Sequence, residues 1–192
     1  MGRVSRAEAA RHRDEVIEAA ARLFRQRGVA GVSVADLMAE VGLTHGGFYR
    51  QFASKDALAA EAVAKASVDL AATVTGIADR NSSDVSAARE ELVGMYLSAD
   101  HRDDPGAGCP VSALGADAAR DEAEAPLRAA YAQSVGRFVD NLARFDDDPA
   151  DRAAHITTLC TLVGALTLAR ATAGDQSLSD EILLAAKGKL TA

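Results

Sequence analysis

The side chains best suited to metal ligation or nucleophilic attack are scattered along this sequence: His12, His45, His101 and His155, with Cys109 and Cys160. No pair has metal-ligand spacing, no Ser-His-Asp order can be assembled, and no glycine-rich phosphate loop is present. The residues argue against an enzyme and require no metal and no cofactor. A different chemistry is concentrated in VSVADLMAEVGLTHGGFYRQFASKDAL, Val32 to Leu58. Here the hydroxyls of Ser33, Thr44 and Tyr49, the cations of Arg50 and Lys55, the imidazole of His45 and the adjacent Gly46 and Gly47 lie close together. Hydroxyls and cations suit phosphate oxygens, and an imidazole or guanidinium can read a base edge.

These residues need two short helices to present them. Ser33 followed by Asp36 predicts a capping box, opening a helix that buries Val34, Leu37, Met38 and Val41 and stops at Gly42. A Gly-Leu-Thr turn follows, and Thr44 caps a second helix. This is the helix-turn-helix plan, in which the second helix enters the major groove. Its first turn, His45, Gly46 and Gly47, buries almost nothing, whereas Phe48 and Phe52 face inward against Leu23, Leu37 and Val41. Two glycines cost about 1 kcal/mol each against alanine, an expense that makes sense if the backbone must approach DNA closely. As amino-terminal caps, Ser33 and Thr44 place hydroxyl and free N–H groups where a phosphate can dock.

The stretch resembles the amino-terminal signature of the tetracycline-repressor family, carried by Ser33, Gly42, Leu43, Thr44, Gly46, Phe48, Tyr49, Phe52, Lys55, Asp56 and Leu58 in register. Gln51 stands where His or Tyr is usual, Asp56 for Glu, and Gly47 for Thr, Ala or Ser. The close resemblance covers about residues 10 to 65. It implies phosphate contacts from Ser33, Thr44, Tyr49 and Lys55. By its own chemistry His45 suits a base edge, and Arg50 suits phosphate or, alternatively, guanine. Arg3, Arg6, Arg11 and Arg13 are further sources of backbone charge.

The remaining chain reads as helical, for an all-α protein of about nine helices. A DNA-binding head over 1–56 precedes a ligand-binding and dimerisation body over 57–192. Ser5 with Glu8 reads as a capping box for a first helix from about Arg6 to Gln26, with Gly28 as its stop. Ser54 caps a long helix that starts at Lys55, others span about Ser86–Asp100 and Ala125–Phe145, and the loop HRDDPGAG precedes a helix at Pro110. The last two run over about Pro149–Thr172 and Ser177–Lys189. Net charge is −7, yet residues 1–55 hold 9 Lys or Arg against 6 Asp or Glu. A mildly basic head on an acidic body suits a protein that touches phosphate at one end. No apolar stretch approaches bilayer length and no signal-peptide pattern opens the chain, so a cytoplasmic protein without a membrane partner is expected.

The helix around His155 to Ala171 is apolar on more than one side, which predicts burial on two faces, its own body and a second copy. Ile156, Leu159, Val163, Leu166 and Thr167 are the expected contacts, with Ile182, Leu183 and Ala186 from the last helix. In the resembled family these two helices form the four-helix bundle of a homodimer, which places two reading heads on a palindromic operator. Tyr96, His101, Cys109, Tyr131 and Phe138 are candidates for lining an effector pocket. Cys109 follows a glycine-rich loop at a helix start, where the dipole is expected to lower its pKa, whereas Cys160 in its apolar stripe is expected to be inert. Two inputs follow: release of a repressor by a small-molecule effector, or modification of Cys109 by an electrophile or oxidant.

Overall fold

A computed structural model describes residues 6–122 and 125–192. The readings of Arg3 and Ser5 fall outside these residues. Among the described residues there are nine α-helices, two short 3-10 helices and no strand.

The head comprises α1 (Arg6–Arg27), α2 (Val34–Glu40), the 3-10 helix η1 (His45–Arg50) and the start of α3 (Lys55–Arg80). Gly28 and Gly42 terminate the first two with φ of 70° and 68°, a left-handed conformation that glycine adopts without strain. Ser33 closes the expected capping box with Asp36, and the Ser54 hydroxyl accepts from the Ala57 N–H to start α3. Val16, Leu23, Phe24, Leu37, Phe48 and Phe52 form one buried cluster. Fully burying each large apolar side chain contributes about 1.5–3 kcal/mol. Leu114 and Leu127, from beyond the head, belong to the same cluster.

The body holds α4 (Val85–Tyr96), α5 (Ala99–Asp103), α6 (Pro110–Arg120), α7 (Pro126–Leu142), the 3-10 helix η2 (Ala143–Phe145), α8 (Arg152–Ala171) and α9 (Gln176–Leu190). A single helix over 86–100 is not formed. Ser98 caps a separate α5, its hydroxyl accepting from the His101 N–H, an alternative to continued helical bonding that serine favours. The segment expected as a loop therefore starts with a helical turn. Helix α3 joins both cores: Leu58 to Ala66 belong to the head cluster, Val74 and Ile77 to that of the body.

The expectation about bilayer length needs correction. Helix α8 is long and apolar enough, at 20 residues and mean hydropathy 1.3, to cross a membrane by length and composition. Here it packs on α9, α7 and α6, and the core takes up Leu159, Leu162, Leu166 and Ala169.

Candidate nucleic-acid interface

Helix η1 presents the expected DNA-facing groups on one solvent-exposed turn. The helix is 3-10 instead of α. Its inner side is fixed by Phe48, fully buried and packed on Phe52 at 5.3 Å between ring centroids. Its outer side carries Thr44, His45, Gly46, Tyr49 and Arg50, all exposed, with Gly47 half-buried. Tyr49 is 65% exposed, which excludes a core role, and its ring packs edge-on against Phe48 and His45. The Arg50 side chain has no hydrogen bond or ion pair among the described residues. A Cβ built at Gly46 would meet nothing within 4 Å. Nothing in the chain itself requires glycine there.

Two expected caps differ. Ser33 caps α2, but its own proton goes to Asp36 Oδ2 at 2.6 Å. Those bonds hold the Asp36 carboxyl below its usual range, and Ser33 must exchange this partner before it can donate to phosphate. Thr44 makes no side-chain capping bond, leaving its hydroxyl available.

Lys55 departs further from the expected phosphate contact. Its ammonium donates to the Val29 carbonyl at 2.9 Å and the Val32 carbonyl at 3.2 Å. Two of its three N–H donors thus hold the α1–α2 turn, and the residue positions the head. Three arginines of α1 are similarly occupied: Arg13 pairs with Glu61 and lies over the Phe52 ring, Arg22 pairs with Glu40, and Arg11 with Glu15, whereas Arg6 is exposed without an ion pair among the described residues. Gln51, at a position where the sequence departs from the family, buries its Oε1 without a donor among the described residues.

The expected effector residues are mostly core. Tyr96 and Cys109 are fully buried and Phe138 nearly so. Tyr131 donates to the Val111 carbonyl at 2.9 Å. His101 and Cys109 border a cavity of about 730 Å3 whose other walls come from α1, α3, α4 and the α5–α6 loop. His101 is a fastener: Nδ1 lies 2.7 Å from the Tyr96 carbonyl, and Nε2 accepts the Cys109 N–H at 3.0 Å. A carbonyl only accepts, so the proton is on Nδ1 and the ring is neutral; burial also lowers its pKa. At Cys109 burial overturns the expected shift. The residue does start α6, but desolvation raises its thiol pKa. Cys160, expected within an apolar contact, is exposed on the single chain.

The residues expected at the dimer face divide between core and surface. Leu159, Leu166 and Leu183 turn into the body's core, with Val163, Ile182 and Ala186 half-buried against it. Ile156 and Thr167 do point outward. Six large apolar side chains are exposed among the described residues, and four of them, Ile156, Leu168, Leu178 and Leu184, lie on α8 and α9.

Sequence reasoning missed two contacts that join head to body. Arg25 of α1 donates from Nε to the Gly106 carbonyl at 2.9 Å, and from Nη2 to the same oxygen. Asp117 of α6 accepts the Val29 N–H at 3.0 Å. It also missed Arg170, whose guanidinium bonds the His101 and Arg102 carbonyls and Ser112. A cation at the far end of so apolar a helix was the available signal.

A capped short helix, a glycine turn and an outward-facing second helix, locked by two phenylalanines, define a helix-turn-helix DNA-binding protein. Residues 16–62 match the bacterial regulatory proteins of the tetR family. An uncharacterized HTH-type transcriptional regulator of Mycobacterium tuberculosis, Rv0196, is 32% identical over 167 residues, covering 82% of this chain and 84% of that protein. The fold matches Escherichia coli NemR in its reduced form with a TM-score of 0.78 at 17% identity, over 94% of this chain and 95% of that one. A tetR-family regulator from Cytophaga hutchinsonii gives 0.78 at 22% identity, over 99% and 96%. The chain belongs to the tetR family of bacterial transcriptional regulators and is not an enzyme. Regulators of this family bind operator DNA and function as dimers.

Proposed function

We propose that this protein is a cytoplasmic repressor that binds a palindromic operator as a homodimer and is released by a small-molecule effector. The reading rests on η1, where Thr44, His45, Tyr49 and Arg50 face solvent around a glycine that has no neighbour. Thr44, Tyr49 and Arg50 contact phosphate, with Ser33 joining them on exchanging Asp36. His45 reads a base edge, Gly46 and Gly47 allow the close approach, and Lys55 holds the turn behind them. The exposed face of α8 and α9 pairs two copies, placing the heads about 34–36 Å apart, one helical turn of DNA.

Selection from a random duplex library, followed by binding and in vitro transcription on the selected site, tests this. The expected site is a palindrome whose occupancy lowers transcription. Arg50→Ala should reduce the slope of log affinity against log salt by about one, and His45→Ala should relax base preference. Recovery of no preferred duplex would overturn the reading. The thiol alternative has burial and a raised Cys109 pKa against it. Operator release by an electrophile that fails on Cys109→Ser would restore it.

A further inference from the structure

We propose that Asp117 of α6 is a positioning residue for DNA binding, which sets how far apart the two reading heads stand and so which separation of operator half-sites is accepted. The inference rests on the proposed two-headed grip on a palindrome and assigns its spacing to one side chain of the body. The α1–α2 turn leads the chain into α2 at Ser33. Val29 in that turn is gripped from two sides. Its carbonyl accepts from Lys55, at the start of α3, at 2.9 Å, and its N–H donates to Asp117 Oδ1 at 3.0 Å. Lys55 lies within the head, so its bond keeps the shape of the turn. Asp117 lies in the body, so its bond decides where the turn sits. Among the described residues no other hydrogen bond from the body reaches residues 28–33.

The fit around that carboxylate is close. A Cβ at Gly28 would lie 3.3 Å from Asp117 Oδ1 and 3.4 Å from Oδ2, so the bare backbone there gives the side chain room to reach the next N–H. Leu114, three residues earlier on α6, enters the core of the head. One face of α6 thus gives the head an apolar contact and a polar one. Asp117 forms no ion pair among the described residues. It serves here as a hydrogen-bond acceptor, a task that asparagine can also perform.

The other end of α6 is tied to the body. The Cys109 N–H donates to His101 of α5 at 3.0 Å, Tyr131 of α7 donates to the Val111 carbonyl at 2.9 Å, and Arg170 of α8 donates to the Ser112 hydroxyl at 3.2 Å. Helix α8 carries part of the exposed face proposed to pair two copies. A rod of 11 residues, about 16 Å long, therefore runs from a pairing helix to the turn. Heads related by a twofold axis move in opposite directions. A shift of about 1.7 Å in each head along the DNA axis thus changes the matched spacing by one base pair, about 3.4 Å.

The test uses palindromic duplexes built from the selected half-site, with the central spacer lengthened or shortened by one and by two base pairs. Binding of the full chain to each is measured by fluorescence anisotropy. Wild-type affinity should fall by about ten-fold or more two base pairs from the best spacer, as the heads lose their phase on the helix. Asp117→Ala, at a half-exposed helical position that alanine suits, should remain a folded dimer by circular dichroism and sedimentation. It should bind its best spacer about two- to ten-fold more weakly, the effect of one lost hydrogen bond, and fall by about three-fold or less across the same series. Asp117→Asn, which keeps the acceptor and removes the charge, should restore the wild-type profile. A residue with a merely structural role would lower the melting temperature on substitution by alanine and leave the shape of the profile unchanged, and that result would overturn the inference. Flattening by Asp117→Asn equal to that by Asp117→Ala would overturn it as well. A wild type indifferent to the spacer would defeat the two-headed grip and this inference with it, whereas a sharp preference that Asp117→Ala retains would defeat this inference alone.

Discussion

Two glycine-containing segments of this protein look alike in sequence and serve opposite purposes. In the head, His45-Gly46-Gly47 opens η1, and a methyl group added at Gly46 would enter empty space. In the body, Pro105-Gly106-Ala107-Gly108 crosses α1, and a methyl group added at Gly106 would strike Gln26 and Arg22. In the proposed function the first glycine keeps room for the operator. The second lets one part of the chain rest directly on another. The open glycine can matter only through a partner, whereas the crowded one matters within the chain itself.

The largest expected effect lies outside both segments and tests whether the heads act as a pair. Leu184 is 72% exposed on α9, and Leu184→Glu would bury an unpaired charge in the dimer. Sedimentation should show monomers, and operator affinity should fall by roughly 10²-fold or more as the two-headed grip is lost. A stable dimer with full affinity would remove this face from the interface.

The contrast between the glycines is tested next. Gly46→Leu should weaken operator binding by about ten-fold or more while leaving thermal stability unchanged, because the side chain clashes only with DNA. Gly106→Ala should act in the other order: a loss of about 1–3 kcal/mol from overpacking, a melting temperature lower by roughly 3–10 °C, and a smaller loss of DNA affinity. If both variants lose stability equally, the contrast is wrong. Lys55→Met separates positioning from phosphate contact. Removing its two hydrogen bonds to carbonyls should cost about 1–3 kcal/mol and leave the salt dependence of binding unchanged. A shallower salt dependence at unaltered stability would return Lys55 to the DNA.

The smallest effect concerns acid. Burial holds His101 below its ordinary 6.5, so the opened loop takes up a proton more readily than the closed one. Loop stability therefore rises with pH through the window below about 6.5 and is level above it. Hydrogen exchange at the Cys109 amide, corrected for its intrinsic pH dependence, should quicken below that value. Exchange that stays level down to pH 5 would mean that His101 is not the fastener.

What the sequence made legible was local. The caps at Ser33 and Ser54, the glycine stops and the inward pair Phe48 and Phe52 are each decided by neighbours within a few positions, so periodicity and spacing reveal them. Part of the expected dimer face lies in the core because α8 is apolar nearly all round, and periodicity alone does not say which side faces its own body. Leu159 and Leu166 went inward, leaving the smaller Thr167 and Cys160 outside. The reading of Cys109 failed because a helix start is a local feature, whereas desolvation comes from distant elements, and desolvation won. The cavity was invisible for the same reason. Its walls come from four parts of the chain, and the aromatics expected to line it fill the core beside it.

Leu114 and Leu127 have a practical consequence for anyone who wishes to exchange reading heads between regulators. They come from α6 and α7, yet they complete the cluster around Phe24 and Phe48. Cutting the chain after the operator-facing signature would leave an oily hole under the transplanted piece, open to solvent or filled by ill-matched side chains. A working chimera must carry the first three turns of α3 and re-match those two leucines in the recipient, otherwise the graft loosens at its base before it meets any DNA.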